Sequence, residues 1–80
     1  MVEGKKHPYL KNEMELLLMI GNGNDVGVIA LRFNTTVDAI YTRRRDIAKK
    51  YGVAKVEMLV FDALEKGWIL LDREVRFMGY

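Results

Sequence analysis

The chain has 80 residues, of which 50% are hydrophobic and 30% charged, and its formal net charge is +2. This length predicts one domain, and the composition is typical of a folded globular protein. The absence of cysteine excludes disulfides and thiolate metal sites. The longest apolar run, Leu16 to Ile20, is too short to span a bilayer, and the N-terminal residues do not resemble a signal peptide. We therefore expect a cytoplasmic protein with no membrane partner.

Positive charge is concentrated in the centre of the sequence. Seven basic and two acidic residues lie between Arg32 and Lys55, a net charge of +5, and the remaining residues carry −3. A basic segment between acidic ends is expected of a binding site for a polyanion. An ordinary solvated helix face gives the same pattern, so charge alone leaves both interpretations open.

The N-terminal part of the sequence predicts a flexible tail followed by a first helix. Residues 1–8 form the tail, and the main domain is expected over residues 9–67. The helix runs from about Glu13 to Ile20, with Asn12 as its N-cap and Glu15 completing a capping box. It ends at the glycine- and asparagine-rich residues 21–25.

A second and a third helix follow with a short turn between them. Asp25 caps the second helix, about residues 26–33, and Thr35 or Thr36 caps the third, about residues 37–51. Gly52 is the natural end of the third helix. The predicted buried face of this helix consists of Val37, Ile40, Ile47, Ala48 and Tyr51. Its opposite face carries Asp38, Tyr41, Thr42, Arg45 and Lys49.

A fourth helix is predicted over about residues 56–66, ending at Gly67. Met58 and Phe61 fall outside its apolar stripe, which indicates a second apolar contact. They either pack under the C-terminal extension, residues 68–80, or form a contact with another copy of the chain. The extension itself is either a short β-hairpin or an extended tail, because no strong turn dipeptide is present. The predicted fold class is therefore all-α, with four helices.

The second helix, the turn and the third helix together have the pattern of a helix-turn-helix unit. The major groove of B-DNA is about 12 Å wide and accepts one α-helix. The exposed face of the third helix carries suitable side chains, since arginine can donate two hydrogen bonds to guanine and threonine can reach base edges. Lysines at the end of the helix suit phosphates.

Residues 9–70 also resemble the LuxR/GerE-type helix-turn-helix domain without a gap. The family pattern is E-x-E-V-L, then G, I-A, S-x-x-T-V, I, K-L-G-V, A and G. The matching residues here are Glu13 to Leu17, Gly23, Ile29-Ala30, Thr36, Ala39-Ile40, Ile47, Tyr51-Gly52-Val53, Ala63 and Gly67. Leu10 stands where the family usually has a threonine that opens the first helix.

The resemblance implies a DNA-binding transcription regulator whose third helix reads the major groove. By position, the base contacts are Tyr41, Thr42 and Arg45. Contacts with phosphates would come from Thr36, Arg44 and Lys49, and from the backbone amides of Asn24, Asp25 and Val26. Members of this family often form dimers through the fourth helix, and Met58 and Phe61 are our candidates for that interface in a homodimer.

The sequence predicts no enzyme, cofactor or metal site. His7 is the only histidine, and no nucleophile–base pair or cluster of carboxylates is present. The alternative function is a protein-interaction module that docks on RNA polymerase or a sigma factor without reading bases, which the acidic, aromatic residues 68–80 would suit. A third alternative is a domain that binds DNA without sequence preference.

Overall fold

The computed structural model describes residues 7–71 and 75–77. Its helices are α1 (Lys11–Gly21), α2 (Val26–Arg32), α3 (Val37–Lys50) and α4 (Glu57–Glu65). Two short strands, β1 (Ile69–Leu71) and β2 (Val75–Phe77), pair antiparallel with Ile69 opposite Phe77. The prediction of an all-α domain with four helices is confirmed. No helix in the described ranges has the length and apolar character needed to cross a bilayer.

One hydrophobic core joins the helices to the β-ribbon. Helix α1 packs against α4, α2 packs against α3, and the ribbon contacts α1 and α4. Leu16, Leu17, Ile29 and Ile40 are its largest fully buried side chains, and Ile69 of β1 is buried with them. Burying a side chain of this size contributes about 1.5–3 kcal/mol. The core therefore extends beyond residue 67 and fixes the inner face of α3.

The starts of α2 and α3 confirm the predicted N-caps. The Asp25 carboxylate accepts a hydrogen bond from the Val28 amide at 3.0 Å. The Thr36 hydroxyl accepts one from the Ala39 amide at 3.1 Å. Each cap satisfies an amide that has no acceptor inside its helix, which typically contributes about 1 kcal/mol.

The predicted start of α1 is wrong. The helix begins at Lys11 with Leu10 as its N-cap, so Asn12 lies inside the helix and cannot cap it. Glu13, rather than Glu15, reaches back to the start of the helix, where its Oε1 accepts from the Leu10 amide at 2.9 Å. The Glu13 carboxylate is held in this position by partners from the far end of α3, which local pattern does not show.

All four helices end in the same hydrogen-bonding pattern. The residue after each C-cap has a positive φ, and the next amide donates to a carbonyl five residues earlier. Glycine occupies this position after α1, α3 and α4, but Asn34 occupies it after α2, with φ of 55°. The Thr35 amide then donates to the Ala30 carbonyl at 2.9 Å. Asn34 therefore sets the turn that directs α3 away from α2.

Val37 is an exception to the predicted buried face of α3. Its side chain is 39% exposed, whereas Ile40, Ile47 and Ala48 are buried and Tyr51 is half-buried. At 100° per residue, Val37 lies about 60° around the helix axis from Ile40. The buried Ala48 lies at about 80° on the same side, so Val37 falls within the buried arc, and its exposure goes instead with its position as the first residue of α3.

Candidate nucleic-acid interface

Helix α3 forms a ridge with a groove on each side. One groove, of about 530 Å³, separates α3 from the N-terminal end of α1 and is lined by Asn12, Thr42, Asp46 and Lys50, among others. The other, of about 610 Å³, separates α3 from the start of α4. We call this second space the α3–α4 groove. Its charged lining residues are Arg44, Arg45, Lys49, Lys55 and Glu57.

This shape suits insertion into a duplex groove. With 14 residues, α3 is about 21 Å long at 1.5 Å per residue. A helix that enters the major groove has a sugar-phosphate backbone on each side. The two grooves beside α3 leave room for these backbones.

The structure places the three predicted base-contacting residues together on the crest of this ridge. Tyr41 is 51% exposed, and Thr42 and Arg45 are also exposed. Arg45 forms no hydrogen bond or ion pair with any described residue. Its guanidinium is therefore available to an external acceptor.

The three consecutive arginines of α3 have different environments. Arg43 lies over the Phe33 ring at 5.2 Å from its centroid. Arg44 forms an ion pair with Glu57 of α4. Only Arg45 points its charge away from such partners within the described residues. The sequence alone gives three equivalent cations, and the packing of neighbouring elements separates their roles.

The predicted phosphate contacts differ in how available they are. Lys49 is exposed and has no ion-pair partner among the residues described. The oxygen of Thr36 is occupied as a helix cap, although its O–H can still donate. The charge of Arg44 is already paired within the protein, so a phosphate would have to compete with Glu57 for it.

The start of α2 requires one correction. Asn24 cannot present its backbone amide to DNA, because that amide donates to the Met19 carbonyl at 3.0 Å in the C-terminal cap of α1. The amides of Asp25 and Val26 have no such backbone acceptor in the described part of the chain. However, the Asp25 carboxylate places negative charge at the same helix end, which disfavours a phosphate there.

A buried carboxylate fixes the last turn of α3 against α1. Glu13 is only 6% exposed and accepts three hydrogen bonds. The donors are Lys50 Nζ to Oε2 at 2.7 Å, the Tyr51 hydroxyl to Oε1 at 2.5 Å, and the Leu10 amide. We call this set the Glu13 network. It joins Glu13 to two residues that lie 37 and 38 positions later in the chain. The network therefore fixes the position of α3 relative to α1.

Glu13 and Tyr51 keep fixed protonation states at neutral pH. Burial alone would raise the pKa of Glu13, but the hydrogen bonds from Lys50, Tyr51 and Leu10 outweigh it and hold this pKa below its usual value. Burial and the adjacent Glu13 carboxylate raise the pKa of the Tyr51 hydroxyl. Tyr51 therefore remains a neutral donor to an ionised acceptor.

Met58 and Phe61, the predicted interface residues, lie on the outer face of α4. They are 47% and 68% exposed, so the described part of the C-terminal extension does not bury either side chain. Trp68 instead packs edge-to-face against Tyr9, with ring centroids 5.9 Å apart. Burial and nearby charges raise the pKa of Tyr9 to about 12, so its hydroxyl also stays neutral. Among the described residues, nothing covers the exposed faces of Met58 and Phe61.

The segment before α1 also contributes to this packing. His7 stacks on Tyr9, with ring centroids 5.6 Å apart and an interplanar angle of 22°. Burial lowers the pKa of its imidazole. The rest of the predicted tail, residues 1–6, lies outside the described residues.

Two charged residues of the α3–α4 groove were not predicted as site residues. Lys55 adds a cation to its lining, and Glu57 adds a carboxylate. Lys55 belongs to the basic segment of the sequence, which is the signal that could have identified it. Nothing in the spacing of Arg44 and Glu57, 13 residues apart, indicates that they meet.

No protein-family model, curated protein or solved structure matches this sequence. In the described ranges, no group of three or more histidine, aspartate or glutamate side chains is arranged to hold a metal ion. The function is therefore inferred from α3, its two flanking grooves and the charges that line them.

Proposed function

We propose that this protein is a DNA-binding transcription regulator that inserts α3 into the major groove of double-stranded DNA. The observation that carries the proposal is the exposed crest of α3. There Tyr41, Thr42 and Arg45 lie together between two open grooves, and Arg45 is unpaired among the described residues. The proposal assigns these side chains to contacts with DNA and to no catalytic step.

Each side chain of the crest suits a different part of the duplex. Arg45 can donate two parallel hydrogen bonds to the O6 and N7 atoms of guanine, and Thr42 can contact a base edge or a thymine methyl. Tyr41 presents an exposed ring and hydroxyl beside them. Lys49 and Lys55 line the α3–α4 groove and suit the phosphates of one strand.

The resemblance to the LuxR/GerE-type domain supports the same function and a homodimer. We propose that two copies meet at α4 through Met58 and Phe61, which form an apolar surface that the described residues leave exposed. A two-fold dimer of helix-turn-helix units binds half-sites about one helical turn apart, roughly 34 Å. The target is then a palindromic site.

The proposal is tested by Arg45→Ala measured against Arg32→Ala. Both variants remove one exposed arginine, but Arg32 belongs to the last turn of α2 rather than to α3. For a duplex selected by the wild-type protein, Arg45→Ala should weaken binding by about 1–3 kcal/mol and relax the preference at one base pair. Arg32→Ala should keep the base preference. If both variants and the wild type had the same sequence preference, α3 would not be the element that contacts the bases.

The alternative functions give different outcomes with the same reagents. Binding that never discriminates between duplexes would indicate a domain without sequence preference. The exposed ring of Phe61 is also compatible with docking on RNA polymerase or a sigma factor. Capture of purified RNA polymerase in the absence of DNA, together with no binding of any duplex, would support that function instead.

A further inference from the structure

The α3–α4 groove contains one contact that opposes the binding of a phosphate. Of the described residues that line this groove, four are cationic, and Glu57 alone is acidic. Its carboxylate forms an ion pair with Arg44, the arginine that the resemblance places near a phosphate. Glu57 therefore already occupies Arg44, the cation that a DNA phosphate would contact in this groove.

This ion pair is accessible enough to exchange partners. The side chains of Arg44 and Glu57 are 23% and 44% exposed. A pair of this exposure gains little net stability, because water solvates both charges well once they separate. Glu57 also lies in the first turn of α4, where the helix dipole favours a carboxylate even without Arg44. Breaking the Arg44–Glu57 ion pair therefore costs little free energy.

We propose that Glu57 is an intramolecular competitor that occupies Arg44 in the free protein and gives it up to a phosphate of the DNA backbone on binding. This inference rests on the proposed DNA-binding function. Arg44 has five N–H donors and suits a phosphate as well as a carboxylate, so the two acceptors are interchangeable at its guanidinium. Competition of this kind lowers the affinity of the free protein for DNA of any sequence.

The same exchange of partners changes the salt dependence of DNA binding. A cation that enters a phosphate contact releases counterions, and log K falls with log salt concentration by about 0.9 per phosphate neutralised. An arginine already neutralised by Glu57 contributes less to this slope than a free one. Removing the carboxylate should therefore raise both the affinity and its salt dependence.

The test compares Glu57→Gln with Glu65→Gln. The two substitutions change the net charge equally on the same helix, but Glu65 is eight residues away, about 12 Å along the axis. Glu57→Gln should bind a duplex about two- to fivefold more tightly at 50 mM salt, with a slope steeper by about 0.9. This gain should largely disappear at 200 mM salt, because the steeper slope lowers it about three- to fourfold over that range. Glu65→Gln should show neither the gain nor the change of slope.

A double variant distinguishes competition for Arg44 from direct repulsion between the Glu57 carboxylate and the phosphate. Introducing Glu57→Gln into an Arg44→Gln protein should give no gain in affinity, because no arginine is released. A gain that persists in this background would overturn the role assigned to Arg44. Thermal unfolding of each variant identifies any loss of fold before binding is compared.

The wild-type protein offers a readout that needs no substitution. The guanidinium N–H resonances of Arg44 should shift when duplex is added, since the bonding partner changes. Unchanged resonances in a saturated complex, or equal binding by Glu57→Gln and Glu65→Gln, would overturn the inference while leaving DNA binding intact. No duplex binding by the wild type or Glu57→Gln would instead overturn the proposed function.

Discussion

Removing one hydroxyl from the Glu13 network should destabilise the whole domain. In Tyr51→Phe, the Glu13 carboxylate loses the donor that lies 2.5 Å from Oε1. Glu13 is 6% exposed, so water replaces that donor poorly. A hydrogen bond to a charged group contributes about 1.5–3 kcal/mol. For a domain of this size, 1 kcal/mol corresponds to about 4–8 °C, so the melting temperature should fall by roughly 6–24 °C.

The matched control is Tyr41→Phe on the same helix. The Tyr41 side chain is 51% exposed, so its loss of a hydroxyl should change stability by less than about 0.5 kcal/mol. Both variants are measured by urea and thermal unfolding, followed by circular dichroism. If Tyr51→Phe were as stable as Tyr41→Phe, the Glu13 network would not be what holds α3 against α1.

The pH dependence of this difference has a defined sign. Folding lowers the pKa of Glu13, so its ionised form is favoured in the folded state. The resulting stability is fully present above the unfolded pKa, about 4.3, and is lost as pH falls through the folded value. The difference between wild type and Tyr51→Phe should be largest near neutral pH and shrink below about pH 4. A difference that grew on acidification would contradict the assignment.

Three further predictions concern the turn, a helix cap and the outer face of α4. Asn34→Ala should lower the free energy of unfolding by about 1–2 kcal/mol because φ there is 55°, whereas Asn34→Gly should not; equal urea midpoints would refute this. Thr36→Ala should cost about 1 kcal/mol by loss of the cap, and an unchanged midpoint would count against that bond. Phe61→Ser should shift the protein towards monomer in sedimentation equilibrium without lowering its melting temperature. Unaltered self-association would exclude Phe61 from the interface.

The parts of the fold that depend on neighbouring residues could be predicted from the sequence. Asp25 and Thr36 each cap a helix that starts at the next residue, and Gly52 directly follows the C-cap of α3. Such features depend on backbone geometry over a few residues. The amphipathic spacing of α3 also placed Tyr41 and Arg45 on its exposed face, as the structure shows.

The features that were missed depend on contacts between distant residues. Asn12 has the chemistry of an N-cap, but the N-cap is Leu10, and Lys50 and Tyr51 at the other end of the domain hold the Glu13 carboxylate that accepts from its amide. Arg44 and Arg45 are adjacent in sequence, yet only the packing of α4 beside α3 brings Glu57 to one of them. Long-range partners of this kind leave no periodic signal in a single sequence.

The central claim is that the crest of α3 reads base pairs, and selection of duplexes from a random pool tests it most directly. The wild-type protein, near physiological salt, should enrich a two-fold symmetric motif with half-sites one helical turn apart. Affinity for that motif should fall steeply as salt rises. Failure to bind any duplex, or binding that enriches no motif, would contradict the claim.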